Sequence, residues 1–227
     1  MNKVFSSLVA VSFLSSFAYA GALSGSVKTT KPAPKAEAIK MSADPVCAKE
    51  NAGKQVMKED VVVGAGGTLA NVFVYVKEGV KSPPAAPATP VSFDQKGCTY
   101  TPHVFGIRVG QPLKIINSDP VLHNVHSMAK SNAGFNMGMA TKGQVIEKKF
   151  TKPEVLVKIK CDVHGWMTAY VGVVDHPYFA VTDKQGNFSI DGLPAGEYTV
   201  EAVHEKFGAK TAKVTVTDAG GKTEFSF

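Results

Sequence analysis

The sequence predicts an all-β protein, and three observations lead there. Valine, threonine and phenylalanine recur in short runs that alternate apolar and polar residues, the period of a half-buried strand. Glycine (21) and proline (13) punctuate those runs at turn positions. No long 3.6-residue apolar period runs through the chain.

The elements follow in chain order. Residues 1–20 read as a secretory signal peptide: Asn2 and Lys3, an apolar stretch Val4–Phe17 broken by serines, then Ala18-Tyr19-Ala20 before Gly21. No second apolar run is long enough to cross a bilayer, so no membrane span is expected in the mature chain. Removing 20 of 227 residues leaves 207, enough for one large or two small domains. Residues 21–80 form an N-terminal segment. It opens extended, with one strand candidate, and allows a short helix over 43–52 with Pro45 in the first turn. In "TLANVFVYVKEGV", Val72, Val74 and Val76 share one face and Phe73 and Tyr75 the other, as in a strand covered on both sides. "KSPPAAPATP" (81–90) reads as a semi-rigid linker.

Strand signals then come quickly over 91–175. Phe105, Ile107 and Val109 share a face with Arg108 pointing away; "LKIIN", "PVLHNVHS", "GQVIEKKF", "VLVKIKC" and "MTAYVGVV" follow. "SMAKSNAGFNMGMATKG" reads as a loop. In "VLVKIKC", Val155, Val157, Ile159 and Cys161 alternate with lysines, so Cys161 ends the buried face of a strand. Residues 176–227 hold short strands parted by Asp-Lys-Gln-Gly and Leu-Pro-Ala-Gly turns.

The net charge is +6, or +5 once Lys3 leaves. Arg108 is the sole arginine, which is a poor nucleic-acid signature because bidentate base and phosphate contacts lean on arginine. The lysine-rich surface is otherwise a solvated face, or steers an acidic partner.

Three cysteines in an exported chain cannot all pair. Cys47 and Cys98 have no histidine within four residues, whereas Cys161 has His164 three residues on. A Cys47–Cys98 disulfide with Cys161 left as a ligand is the economical solution. "CDVHGWM" supplies Cys161, His164 and Met167: a thiolate, an imidazole and a thioether. Soft sulfur ligands select copper, and a Cys-His₂ site with a weak axial methionine is the blue-copper set; zinc rarely takes a thioether. The second histidine must come from elsewhere. His123 shares a strand face with Val121 and Val125, so it points inward and is preferred over His126. His103, His176 and His204 lack a sulfur neighbour.

"HNV" at 123–125, with Cys-x₂-His-x₂-Met 38 residues on, resembles the cupredoxins of the amicyanin, pseudoazurin and plastocyanin group. "YTPHVFGIRVGQPLKIIN" is similar to that family's early strands. The resemblance covers 91–175 and implies a Greek-key β-sandwich holding one type 1 copper ion. It makes His123, Cys161 and His164 equatorial ligands and Met167 the axial one. Asn124 matches the asparagine that ties the two ligand loops together, and the equivalent of His164 lies near an apolar surface patch. Asp162 departs from the family's usual serine or threonine, and Trp166 is bulky for the loop. "TLANVFVYVKEG" and "AVTDKQGNFSIDGLPAGEYTVEA" resemble carboxypeptidase regulatory-like modules, a smaller transthyretin-like β-sandwich without catalytic signature. Whether the copper-type segment is inserted into that sandwich or lies in tandem with it is open at this level.

The resemblance implies a periplasmic one-electron carrier whose partner is another redox protein, such as a c-type cytochrome. Copper storage or delivery is the second reading, with Met128, Met137 and Met139 as extra soft groups, and a non-redox interaction module the third. An enzyme is not expected: Cys161 is flanked by Lys160 and Asp162, with no adjacent histidine to reach a second copper.

Overall fold

The computed structural model describes residues 21–227; the expected signal peptide at 1–20 lies outside them. Strands dominate: β1 (Gly21–Lys28), β2 (Phe73–Glu78), β3 (Val91–Lys96), β4 (Thr99–Thr101), β5 (Val104–Arg108), β6 (Leu113–Asn117), β7 (His123–Ser127) and β8 (Asn136–Met139). They continue with β9 (Val145–Lys148), β10 (Glu154–Lys160), β11 (Thr168–Val174), β12 (Phe179–Val181), β13 (Asn187–Leu193), β14 (Gly196–His204), β15 (Gly208–Val216) and β16 (Gly221–Ser226). The single α-helix among the described residues is α1 (Pro45–Glu50), with Pro45 in its first turn and Asp44 as N-cap. No helix there is long and apolar enough to cross a membrane.

Two β-sandwiches result. The first stacks β4-β3-β6-β9 against β5-β11-β10-β7-β8. Its core joins Phe93, Phe105, Ile107, Leu113, Ile115 and Ile159 with Cys161 and Met167. The second stacks β13-β1-β16 against β12-β2-β14-β15 around Leu23, Val72, Val74, Val76, Ile190 and Val200. Strands on both sides of 91–175 share its sheets: β1 runs parallel to β16 and antiparallel to β13, and β2 pairs with β12 and β14.

The two sandwiches meet through β2, whose valines face one core while Phe73 and Tyr75 face the other body. Aromatic rings approach this contact closely where Gly106 of β5 lies opposite Gly172 of β11. A Cβ on Gly172 would stand 2.3 Å from the Phe73 ring, and one on Gly106 2.1 Å from Phe179. The buried pair His103–Glu205 (2.6 Å) also bridges the bodies. The 81–90 linker is tied down by Arg108, whose guanidinium donates to the carbonyls of Pro84, Ala85 and Asp175. That side chain is buried, not directed into solvent, because these three carbonyls replace its hydration.

Two local expectations are corrected. The loop after β7 contains β8, which pairs antiparallel with β7 from His123↔Met139 to His126↔Asn136. Its Asn-Met-Gly-Met sequence has weak strand propensity, and the β7 ladder imposes the conformation. In β10 the alternation breaks at Leu156 (φ 52°), where the register shifts against β11. Val157, Ile159 and Cys161 keep the inner face, but Val155 turns to the contact between the sandwiches.

Candidate metal centre

His123 opens β7, with a fully buried side chain, beside Val125. His126 is on the other face and partly exposed. Cys161 follows the last residue of β10 on that strand's inner face and is the free, buried cysteine. The loop after it closes on itself: Met167 N–H donates to His164 O (2.9 Å), and Cys161 N–H to Met167 O (3.1 Å). This turn brings His164 back over the thiol, whose Sγ accepts its backbone N–H at 3.2 Å.

The tertiary fold therefore joins what the sequence separates. The Nδ1 atoms of His123 and His164 lie 2.9 Å apart, and Cys161 Sγ is 3.9 Å from His164 Nδ1. One donor atom from each of the three residues falls within 4.8 Å of the others, and all three side chains are buried. Met167 is buried in the same core as Cys161.

Two aspartates that sequence reasoning missed hold the imidazoles. His123 Nε2–H donates to Asp119 Oδ2 (2.9 Å), and His164 Nε2–H to Asp44 Oδ2 (3.1 Å). With Nε2 so engaged, each ring turns Nδ1 toward the thiol. This carboxylate–imidazole pairing is the usual orienting shell of a metal-bound histidine. The signal was present as a repeated Asp-Pro-Val, at 44–46 and 119–121. Asp-Pro starts turns, and each carboxylate also collects backbone donors nearby. Asp44 Oδ1 accepts from Val46 and Cys47, while Asp119 accepts from Gly97 and Cys98.

The electrostatics favour a thiolate. Burial raises the Cys161 thiol, but His123 and the backbone N–H groups of Asn124, His164 and Val163 outweigh it and bring it down to about 7. Burial opposes charge on His123, yet Asp119 and Cys161 carry it up to about 9. Asp119 is raised by burial and lowered by His123, Cys98 and Gly97, and ends below its ordinary value. The residues fit a soft metal ion: His123, Cys161 and His164 could hold one, with the thioether of Met167 in the same core.

Asn124 links the His123 strand to the loop that follows Cys161. Its Oδ1 accepts the Asp162 N–H at 2.5 Å, and its backbone carbonyl accepts the Tyr100 hydroxyl. Asp162 points outward. Lys160 is the main group that holds its carboxyl well below the carboxylate range, with His126, Asn136 and Asn124 adding to it. Trp166 donates its indole N–H to Cys98 O (3.0 Å) and lies 4.9 Å from the His164 ring. Cys47 and Cys98 form a disulfide. His164, which the resemblance places near an apolar surface patch, is 2% exposed beneath Asp44, Cys47 and Trp166. Its neighbour Val163 and His123's neighbour Leu122 are exposed. Met139 is core, its sulfur accepting from Gln95, whereas Met128 is exposed.

Residues 168–227 match the family model of the carboxypeptidase regulatory-like domain, a match that begins in β11 of the first sandwich. Comparison with curated proteins finds no match. Similar solved structures include a purple cupredoxin from Nitrosopumilus maritimus, at 25% identity over 36% of this chain and 97% of that one, with a TM-score of 0.31. An oxidised amicyanin mutant is 26% identical over 44% of this chain and 97% of its own, TM-score 0.34. A Cu-containing nitrite reductase from Thermus scotoductus SA-01 is 23% identical over 44% of this chain, TM-score 0.36, and the match spans 25% of that longer protein. The chain is similar at its C-terminal end to the carboxypeptidase regulatory-like domain and, over less than half its length, to cupredoxins.

Proposed function

We propose that this protein is a periplasmic type 1 copper protein that carries single electrons. His123, Cys161 and His164 would hold the copper ion, with the Met167 thioether as the fourth, weaker group. The observation that carries this reading is the buried convergence of two carboxylate-backed imidazoles on one unpaired thiol. Copper, when bound, supplies the one-electron couple. Asp119 and Asp44 keep the Nε2 proton on each ring, so that Nδ1 is the donor atom. Asn124 holds the His123 strand to the Cys161 loop, and Met167 helps to exclude water from the thiol side. The donors come from β7 and the β10–β11 loop of one sheet and are held from behind by Asp119 and Asp44; such a buried frame permits little rearrangement between oxidation states, which is what fast electron transfer asks of a site.

The cover over His164 supports a carrier rather than a delivery protein, because a ligand sealed at 2% exposure exchanges its metal slowly. The partner is another periplasmic redox protein, such as a c-type cytochrome, and the chain is not itself an enzyme. Adding Cu(II) to the purified metal-free protein tests the reading. An intense blue thiolate-to-copper band is expected, abolished in Cys161→Ser and lost or shifted in His123→Ala. A protein that stays colourless and binds no copper would end it.

A further inference from the structure

We propose that the Cys47–Cys98 disulfide is a positioning element of the metal centre, joining the two carboxylates that hold its imidazoles and closing a cover over His164. The inference rests on the copper reading above for its consequence, but its geometry stands alone. Asp119 Oδ2, which accepts from His123 Nε2, also accepts the Cys98 N–H at 2.8 Å. Asp44, which accepts from His164 Nε2 through Oδ2, takes the Cys47 N–H at 3.0 Å through Oδ1. A continuous path therefore runs His123–Asp119–Cys98–Cys47–Asp44–His164, and the S–S bond is its one covalent crossing between distant segments.

The half-cystines also touch the site directly. Cys47 Sγ lies 3.7 Å from His164 Nε2, and Cys98 O accepts the Trp166 indole N–H. Asn51 completes the cover, donating to Cys47 O and, across the disulfide, to Gly97 O, both at 3.0 Å. Little else holds the segment. The helix α1 has six residues, too few to persist by itself. Beyond it lie one isolated bridge, Ala38↔Met57, with the exposed Glu37–Lys58 ion pair beside it, an Asn51 hydrogen bond to the Met41 sulfur, and a small apolar cluster that itself includes both half-cystines. Cys47 and Cys98 are 0% exposed, so a reductant reaches the bond only after the cover opens. The crosslink therefore acts as a permanent staple in the folded protein.

A disulfide that only stabilised the fold would leave the site unchanged when removed. This one acts on both imidazoles. The test uses the full-length mature chain as Cys47→Ser/Cys98→Ser, which leaves Cys161 without a new partner. In metal-free protein, the reaction of His164 with diethylpyrocarbonate, followed by peptide mass spectrometry, should speed up by about tenfold or more as the cover opens locally. In copper-loaded protein, affinity measured against a chromophoric chelator should fall about 10- to 100-fold, and the blue band should shift. A folded double variant, by far-ultraviolet dichroism, with unchanged His164 labelling overturns the proposal. If the double variant does not fold, Asp44→Asn decides with the disulfide intact: faster His164 labelling supports the positioning path, and no change overturns it. A chain that binds no copper defeats the copper reading, while the labelling arm still decides this one.

Discussion

Replacing Asp119 with alanine removes one acceptor from three donors. The carboxylate is 3% exposed and accepts from Gly97 N–H at 2.7 Å, Cys98 N–H at 2.8 Å and His123 Nε2 at 2.9 Å. A buried donor left without a partner costs about 1–3 kcal/mol. The two buried ones, Cys98 N–H and His123 Nε2–H, sum to about 2–6 kcal/mol, the part-buried Gly97 N–H adds little because it can turn to water, and water entering the space vacated by the carboxylate brings the expectation to the lower end, about 3 kcal/mol. Urea unfolding at pH 7, read from the midpoint at constant slope, measures this. Asp119→Asn retains one oxygen, which serves Cys98 N–H and His123 Nε2–H together or Gly97 N–H alone according to how the amide is turned, and should fall between wild type and alanine. The same alanine variant frees the His123 ring, so copper affinity should drop about 10- to 100-fold. A loss below about 1 kcal/mol in the alanine variant, with copper affinity unchanged, would refute the view that Asp119 both seals the 97–98 turn and orients His123.

Two further outcomes test the frame and the second sandwich. Gly172→Ala forces a methyl to 2.3 Å from the fully buried Phe73 ring and should cost about 1–3 kcal/mol. Phe73→Leu on that background should recover part of the loss in a double-mutant cycle, and purely additive effects would deny a shared contact between the sandwiches. Burial is the main cause that lowers His204 to about 4, and its Nε2 is buried with no partner among the described residues. Its folded value lies below the unfolded 6.5, so its contribution is complete above pH 6.5 and is lost as pH falls toward 4, because the unfolded chain takes the proton first. The difference amounts to about 3 kcal/mol. The melting temperature should fall between pH 6.5 and 4, and His204→Phe, beside Phe207, should flatten that slope.

Some of this architecture was legible before any coordinates. Alternation is a local property, so Val157, Ile159 and Cys161 announced an inward thiol, and Val72, Val74 and Val76 a doubly covered strand. Cysteine count and histidine neighbours separated Cys161 from Cys47 and Cys98. The spacing in 161–167 set a thiol, an imidazole and a thioether in one loop, and the strand face of His123 placed that ring inside.

Only the tertiary structure decided the rest, because the deciding contacts join residues far apart in the chain. Asp119 meets an imidazole only four residues on, but nothing local to Asp44 says that it will meet His164, 120 residues away; that contact exists only because the fold, with the Cys47–Cys98 bond, brings the two segments together. The pairing of β2 with β14 crosses more than a hundred residues, and β8 became a strand because β7 offered its edge. Burial of His164 is likewise a long-range result. Its own loop would leave the ring at the end of the sandwich, and the segment around α1, more than a hundred residues upstream, closes over it. Periodicity and ligand chemistry are written within a few residues, whereas what covers a site and orients its ligands is set by which distant segments the fold makes neighbours.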